Sequence, residues 1–285
     1  MRNFGIAAVQ MKVDPKDKEG NLSRMTKIIE DISVDSTIDL IAFPEYAVTG
    51  TDVAQAEAIT GSSWNQLRNS AKTNKKWVMT GSGLELSNGA IYNTALLISP
   101  KGDVKIKYRK THPFLPMDGT IKPGNDYPIF DIDKAGRFGI MICYDGLAFP
   151  EVARTLAWKG AEVILWCAMV AANHVDFWTT ACKAHSQFNQ CFVVGISAVG
   201  LQGSYSGAGH TQIVDPNGAV LSELGSEEGI LVEIIDLDHV DRVRRIGSRH
   251  GHRHLNDWKH FNYEYPPYIT GVDKGEVFEM PPFKK

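Results

Sequence analysis

At 285 residues the chain has room for one large α/β domain or about two smaller ones, and a chain of this size buries about three quarters of its unfolded surface without disulfide or metal staples. A composition of 43% hydrophobic and 22% charged residues excludes intrinsic disorder. Thirty Lys and Arg against 33 Asp and Glu give a net charge of -3, which argues against a nucleic-acid partner, and no apolar run reaches the roughly 18 residues that cross a bilayer.

The run Phe4 to Met11 leads straight to Lys12 and Asp14 without a small-residue cleavage pattern, so it reads as a first strand, from Gly5 to Met11, rather than a signal peptide. Asn21-Leu22-Ser23 then opens an amphipathic helix with Met25, Ile28, Ile29 and Ile32 on one face. Asp39 to Phe43 is a short apolar strand of the kind covered on both faces, and a helix follows around Trp64 to Thr73. Val78 to Leu84, Ile91 to Ser99 and Val104 to Tyr108 are strand-like with no helix between them, and Pro100-Lys101-Gly102-Asp103 is a turn, so this part reads as antiparallel hairpins.

After a Pro- and Gly-rich loop from Pro113 to Gly124, strand and helix alternate again. Strands are expected at Phe138 to Ile142, Glu162 to Trp166 and Cys191 to Ser197, with helices near Pro150 to Lys159 and Phe177 to Gln187. The second half closes like the first, in hairpin signals: Thr211 to Asp215, the turn Pro216-Asn217-Gly218, Val220 to Leu224 and Gly229 to Ile235. Two such halves predict an α/β fold, a four-layer α-β-β-α sandwich of two mixed sheets, within one domain over residues 1–265. Residues 266–285, with Pro266, Pro267, Pro281 and Pro282, read as an extended tail suited to a subunit contact.

Cys143, Cys167, Cys182 and Cys191 sit in apolar segments and lack the CxxC spacing of zinc sites, which predicts free thiols and a cytoplasmic protein without a metal. No phosphate-binding P-loop or strand-associated GxGxxG is present, so no cofactor is expected. Gly203 to Gly207 carries Tyr205 at the centre of its would-be nucleophile elbow, which disfavours a serine hydrolase. His250, His252 and His254 alternate along one segment, but Arg249 and Arg253 favour a polar surface or subunit contact over a metal site. His112, His174 and His210 offer no spacing that selects a partner for a cysteine.

Cys143 ends a strand and precedes a helix, a turn at which backbone N–H groups and a helix N-terminus favour a thiolate. Glu45 and Lys110 also close apolar strands, and ligands in covered sheets bind beyond strand carboxyl ends. Taken singly, each has an ordinary alternative: a buried core thiol, a solvated glutamate, a lysine on a basic strand face.

Together, Phe43-Pro44-Glu45-Tyr46, Tyr108-Arg109-Lys110 and Ile142-Cys143-Tyr144-Asp145-Gly146 resemble the carbon-nitrogen hydrolase, or nitrilase, superfamily, whose members carry a Glu-Lys-Cys triad in this order. That family's fold is an α-β-β-α sandwich. Lys110 followed by Pro113-Phe114 and Asp118-Gly119, with Asp145-Gly146 after the cysteine, is most similar to the aliphatic amidase and formamidase branch.

The resemblance implies a cofactor-independent homo-oligomer that cleaves a small linear amide to acid and ammonia. Cys143 is then the nucleophile, Glu45 the general acid and base, and Lys110 with the Tyr144 backbone N–H the oxyanion donors. Asp118 stands where the family usually has a second Glu, one methylene longer. Tyr46 and Phe114 match aromatic pocket positions of that branch, and Trp166 and Cys167 end a strand near the same mouth. Alternatives are a nitrilase or N-carbamoyl amidohydrolase using the same triad, or a non-catalytic scaffold.

Overall fold

The computed structural model describes residues 1–202, 205–247 and 253–257. Its first half holds β1 (Asn3–Gln10), α1 (Lys18–Ile32), β2 (Leu40–Ala42), α2 (Ser62–Asn74), β3 (Trp77–Met79), β4 (Gly83–Ser87), β5 (Ala90–Ile98) and β6 (Val104–Arg109). The second runs through α3 (Leu115–Asp118), β7 (Ile129–Ile132), β8 (Gly136–Ile142), α4 (Tyr144–Ala148), α5 (Pro150–Trp158), β9 (Val163–Ala168), α6 (Val175–Asn189) and β10 (Phe192–Ser197). The hairpin β11 (Val199–Gln202) and β12 (Tyr205–Ala208) follows, then β13 (Gln212–Val214), β14 (Val220–Glu223), β15 (Gly229–Asp236), α7 (Asp238–Ile246) and α8 (His254–Asp257).

Two mixed sheets result, with strand orders β15-β1-β2-β3-β5-β4, where β6 also pairs with β5, and β14-β13-β10-β9-β8-β7. In each, three parallel strands form the middle: β1-β2-β3 and β8-β9-β10. The two-residue side-chain period of β1 shows the layering. Phe4, Ile6 and Ala8 join residues of both sheets, such as Leu97, Phe138, Ile140 and Leu165, in one core. Ala7 and Val9 face the other way, into a cluster with Leu22, Met25 and Ile29 of α1 and Trp64 and Leu67 of α2. Val152 and Leu156 of α5 and Trp178 and Cys182 of α6 cover the second sheet, which completes the four-layer sandwich.

Several boundaries differ from the sequence reading. Helix α1 starts at Lys18 because the Asp17 side chain caps the Gly20 N–H at 2.8 Å, ahead of the apolar stripe. The strand expected over 78–84 is two strands, and β3 runs parallel to β2 rather than in a hairpin. Gly81 turns the chain there at φ +67, and a Cβ on it would lie 1.9 Å from the Pro44 carbonyl oxygen. This close approach buttresses the loop that bears Glu45: the Ser82 hydroxyl accepts the Tyr46 N–H at 3.0 Å, and the Ser82 N–H donates to the Pro44 carbonyl at 3.3 Å.

Strand β15 does not close the second half on itself. It pairs antiparallel with β1 from Asn3↔Asp236 to Gln10↔Gly229 and so stitches the chain's end to its beginning. Strand β7, the β11–β12 hairpin and α7 were not expected, and the 113–124 loop contains the short helix α3. Residues 266–285, His250 and His252 lie outside the described residues. His254 is engaged by carbonyls, its Nε2 lying 3.0 Å from both Gln187 O and Phe188 O. All four cysteines are free and buried, and no helix among the described residues is long and apolar enough to cross a membrane.

Candidate active site

Glu45, Lys110 and Cys143 stand just beyond the carboxyl ends of β2, β6 and β8, and the sandwich brings the three strand ends together. Lys110 is at the centre. Its Nζ lies 2.9 Å from Glu45 Oε1 and 2.7 Å from Asp118 Oδ2, with all three side chains fully buried. The shorter Asp118 therefore reaches the lysine. Helix α3 carries its carboxylate inward, where it also accepts the Phe114 N–H at 2.8 Å and the Tyr46 hydroxyl.

Glu45 is held from four directions. Oε1 takes the Lys110 ammonium and the Asn93 amide, the latter at 2.9 Å, and Oε2 takes the Met169 N–H at 3.0 Å. Its own N–H reaches the Ala168 carbonyl at 3.4 Å, so this residue ties the first sheet to the end of β9 in the second. Asn93 was not singled out from the sequence, because it lies in mid-strand among apolar residues with no motif around it.

Cys143 sits at φ +45 and ψ -105, a sparsely populated conformation for a non-glycine residue that costs about 1–3 kcal/mol and persists only where the surroundings over-determine it. Those surroundings are explicit. The Cys143 N–H donates to Cys167 O at 2.8 Å, and the Cys143 carbonyl accepts the Trp166 indole N–H at 3.1 Å. Gly146 lets Trp166 slide beneath the turn, where a Cβ would come within 2.5 Å of the indole ring. The buried Asp145 accepts from Tyr108 Oη at 2.7 Å, Thr111 Oγ1 at 2.9 Å, the His112 N–H at 2.9 Å and the Ile142 N–H at 3.1 Å. One carboxylate thus clamps the segment after Lys110 to the turn that bears Cys143.

Electrostatics in this dry cluster run against the thiolate expected from the turn alone. Burial pushes the Cys143 thiol well above its ordinary value, the negative charge of Glu45 adds to that, and Lys110 only partly offsets them. Burial also raises Glu45, with Lys110 opposing and Asp118 reinforcing the rise. Burial disfavours the Lys110 ammonium, yet the neighbouring carboxylates of Glu45 and Asp118 prevail and push its pKa up. Two carboxylates face one ammonium, so a further anion on sulfur is disfavoured.

A cavity of about 270 Å³ opens over the cluster, lined by Lys110, Cys143 and Tyr144 at its floor and by Phe114, Met117 and Leu147 among its walls. Phe114 and Tyr144 pack with ring centroids 5.1 Å apart. Tyr46, Trp166 and Cys167 are not among its lining residues. Tyr46 is buried behind Asp118, Trp166 supports the Cys143 carbonyl, and the Cys167 thiol points to Met141 O at 3.9 Å. Of the three histidines considered as cysteine partners, His112 Nδ1 lies 3.0 Å from Asp145, His210 Nδ1 lies 2.9 Å from Glu223, and His174 lines the cavity from an exposed position. His185, unremarked in the sequence, is a buried neutral support under α4, its Nε2 2.6 Å from Gly146 O.

The carbon-nitrogen hydrolase family model matches residues 5–245. The chain is 32% identical over 247 residues to 2-oxoglutaramate amidase of Bacillus subtilis, covering 84% of this chain and 93% of that protein. It is 31% identical over 270 residues to omega-amidase NIT2 of Xenopus tropicalis, covering 89% and 96%. Nit3 of Saccharomyces cerevisiae, a solved member of branch 10 of the nitrilase superfamily, superposes with a TM-score of 0.79 at 28% identity, over 88% of this chain and 97% of that one. Motifs, four-layer fold and relatives agree: the chain belongs to the carbon-nitrogen hydrolase family.

Proposed function

We propose that this amidase hydrolyses a small linear amide to its carboxylic acid and ammonia through a thioester on Cys143. The observation that carries the reading is the Lys110 ammonium held between two buried carboxylates at the floor of a cavity that Cys143 also lines.

The chemistry follows from the groups present. As the Cys143 sulfur attacks the amide carbon, Glu45 takes the thiol proton, which supplies the thiolate that the resting site disfavours. An ammonium has three donors, and Lys110 commits two of them to Glu45 and Asp118. The third, with the Tyr144 N–H at the start of α4, stabilises the developing oxyanion, a contribution commonly worth about 3–4 kcal/mol per donor. Glu45 returns its proton to the departing nitrogen, so the C–N bond breaks and ammonia leaves a thioester. A water deprotonated by Glu45 then attacks that carbonyl, the C–S bond breaks, and acid and thiol are released. Asp118 positions Lys110 throughout.

Ammonia release from matched amides, nitriles and N-carbamoyl compounds tests the reading. Amides are expected to be turned over and the other two classes to be slower by at least an order of magnitude. Turnover of nitriles or carbamoyl compounds with amides inert contradicts it. Assembly into a homo-oligomer belongs to the same proposal, and a monomeric mass by light scattering contradicts that part.

A further inference from the structure

Four times in this chain a glycine follows Asn or Asp: Asn88-Gly89, Asp118-Gly119, Asp145-Gly146 and Asn217-Gly218. A glycine has no side chain to keep its backbone nitrogen from the carbonyl carbon of the preceding side chain, so a five-membered ring can close between them. The fold treats the four pairs differently. Asp118 and Asp145 are buried, and their carboxylates are held by the donors described above. At Asn217 both reacting ends are committed: the Gly218 N–H donates to Asp215 O at 2.8 Å, and Asn217 Nδ2 lies 2.9 Å from His239 Nε2. The Asn217 N–H adds a bond to Asp215 Oδ1 at 2.9 Å.

Asn88-Gly89 lacks these restraints. It is the two-residue tip of the hairpin between β4 and β5, closed by the pair Ser87↔Ala90, with φ +50 at Asn88 and +74 at Gly89, the two positive values of a type I′ turn. Both residues are exposed, and a Cβ on Gly89 would meet nothing within 4 Å. Among the described residues the Asn88 amide makes no hydrogen bond. We infer that Asn88 is a site of spontaneous deamidation, and that it is the one of the four pairs the folded chain leaves open to this chemistry. The Gly89 nitrogen gives its proton to a solvent base and bonds to Asn88 Cγ, the bond from Cγ to Nδ2 breaks, and ammonia leaves a succinimide. Water then opens the ring at one carbonyl to give aspartate or at the other to give isoaspartate. Isoaspartate carries the main chain through Cβ and so lengthens it by one carbon. A two-residue turn then no longer joins Ser87 to Ala90 in register, and the hairpin that bears Glu85 and Asn93 frays from its tip. This inference is independent of the amidase reading.

The test incubates the parent at mildly alkaline pH, folded and in urea, and follows its peptides by mass and by methyl transfer from a protein isoaspartyl methyltransferase. Each event adds about 1 Da as NH2 gives way to OH. In the folded protein conversion is expected at Asn88, with Asn217 slower by at least about ten-fold because it must first open locally. In urea the two rates are expected to converge. Asn88→Gly, which suits a positive φ, is expected to abolish the folded-state signal. The aged parent, but not the variant aged alike, is expected to lose a few degrees of Tm. Equal rates at the two folded sites, conversion of Asn217 first, or an intact Asn88 in folded protein while the urea sample converts overturns the inference. An unchanged Tm after full conversion overturns the fraying of the hairpin.

Discussion

The Asn93 amide donates to Glu45 Oε1 across 2.9 Å, to the same oxygen that holds the Lys110 ammonium. A donor on the charged form lowers a carboxyl's pKa, so Asn93 opposes the rise that burial imposes on Glu45, the base of the proposed mechanism. It also fixes the carboxylate plane. Asn93→Ala is expected to shift the acid limb of the kcat/KM profile to higher pH and to lower its plateau about 10- to 100-fold. A lower plateau with an unmoved acid limb would reduce Asn93 to a packing role.

The charge of Glu45 raises the Cys143 thiol, while in the proposed mechanism its basicity serves the reaction. Glu45→Gln separates these effects. Amide turnover is expected to fall by at least about 100-fold, because no base remains. The Cys143 pKa is expected to fall with the lost negative charge, so iodoacetamide should modify Cys143 faster at pH 7 than in the parent. Slower alkylation in the variant would contradict the assignment of a thiol held protonated by its neighbour.

Much of the site could be read from strand ends. Glu45, Lys110 and Cys143 each follow a strand, and the short unalternating run Asp39 to Phe43 marked one of the parallel strands, whereas β3, read into a hairpin, lies parallel to β2. What escaped was held by contacts between distant segments. Nothing local marks Asn93 as a partner of a loop 48 residues away, or Tyr108, Thr111 and His112 as donors to Asp145. The hairpin-like spacing near residue 229 suggested pairing with β14, whereas β15 completes the first sheet, a choice made by tertiary packing against β1. Helix α7 was hidden by its polarity, with Val240 and Val243 alone buried in it.

Asp118→Asn keeps the shape of the side chain and removes its charge. Lys110 and Tyr46 would retain a partner, but the ammonium would lose half of its countercharge. Amide turnover is expected to fall about 10- to 100-fold with the fold intact by circular dichroism. Equal kcat/KM in variant and parent would remove Asp118 from the site.

The hairpin that carries Asn93 and Lys110 is pinned by Glu85. Its carboxylate takes Arg109 Nε and Nη2, each at 2.8 Å, with Lys107 and Thr94, each at 2.7 Å. Burial alone would raise its pKa, but these donors prevail and bring it down to about 2. A depressed carboxyl stabilises the fold above its unfolded value and loses that contribution as pH falls through the folded one. Glu85→Gln is therefore expected to lower Tm by a few degrees at pH 7, with the difference closing between pH 4.5 and about 2. A gap that stays constant over that range would contradict the assignment.

The central claim is a covalent thioester at Cys143, and intact mass recorded during turnover of hexanamide, followed by peptide mapping, tests it most directly. The expected result is a transient mass increase equal to the acyl group, located on the peptide that contains Cys143 and absent together with ammonia release in Cys143→Ala. Continued ammonia release by folded Cys143→Ala, or an acyl group mapped to another residue, would contradict it.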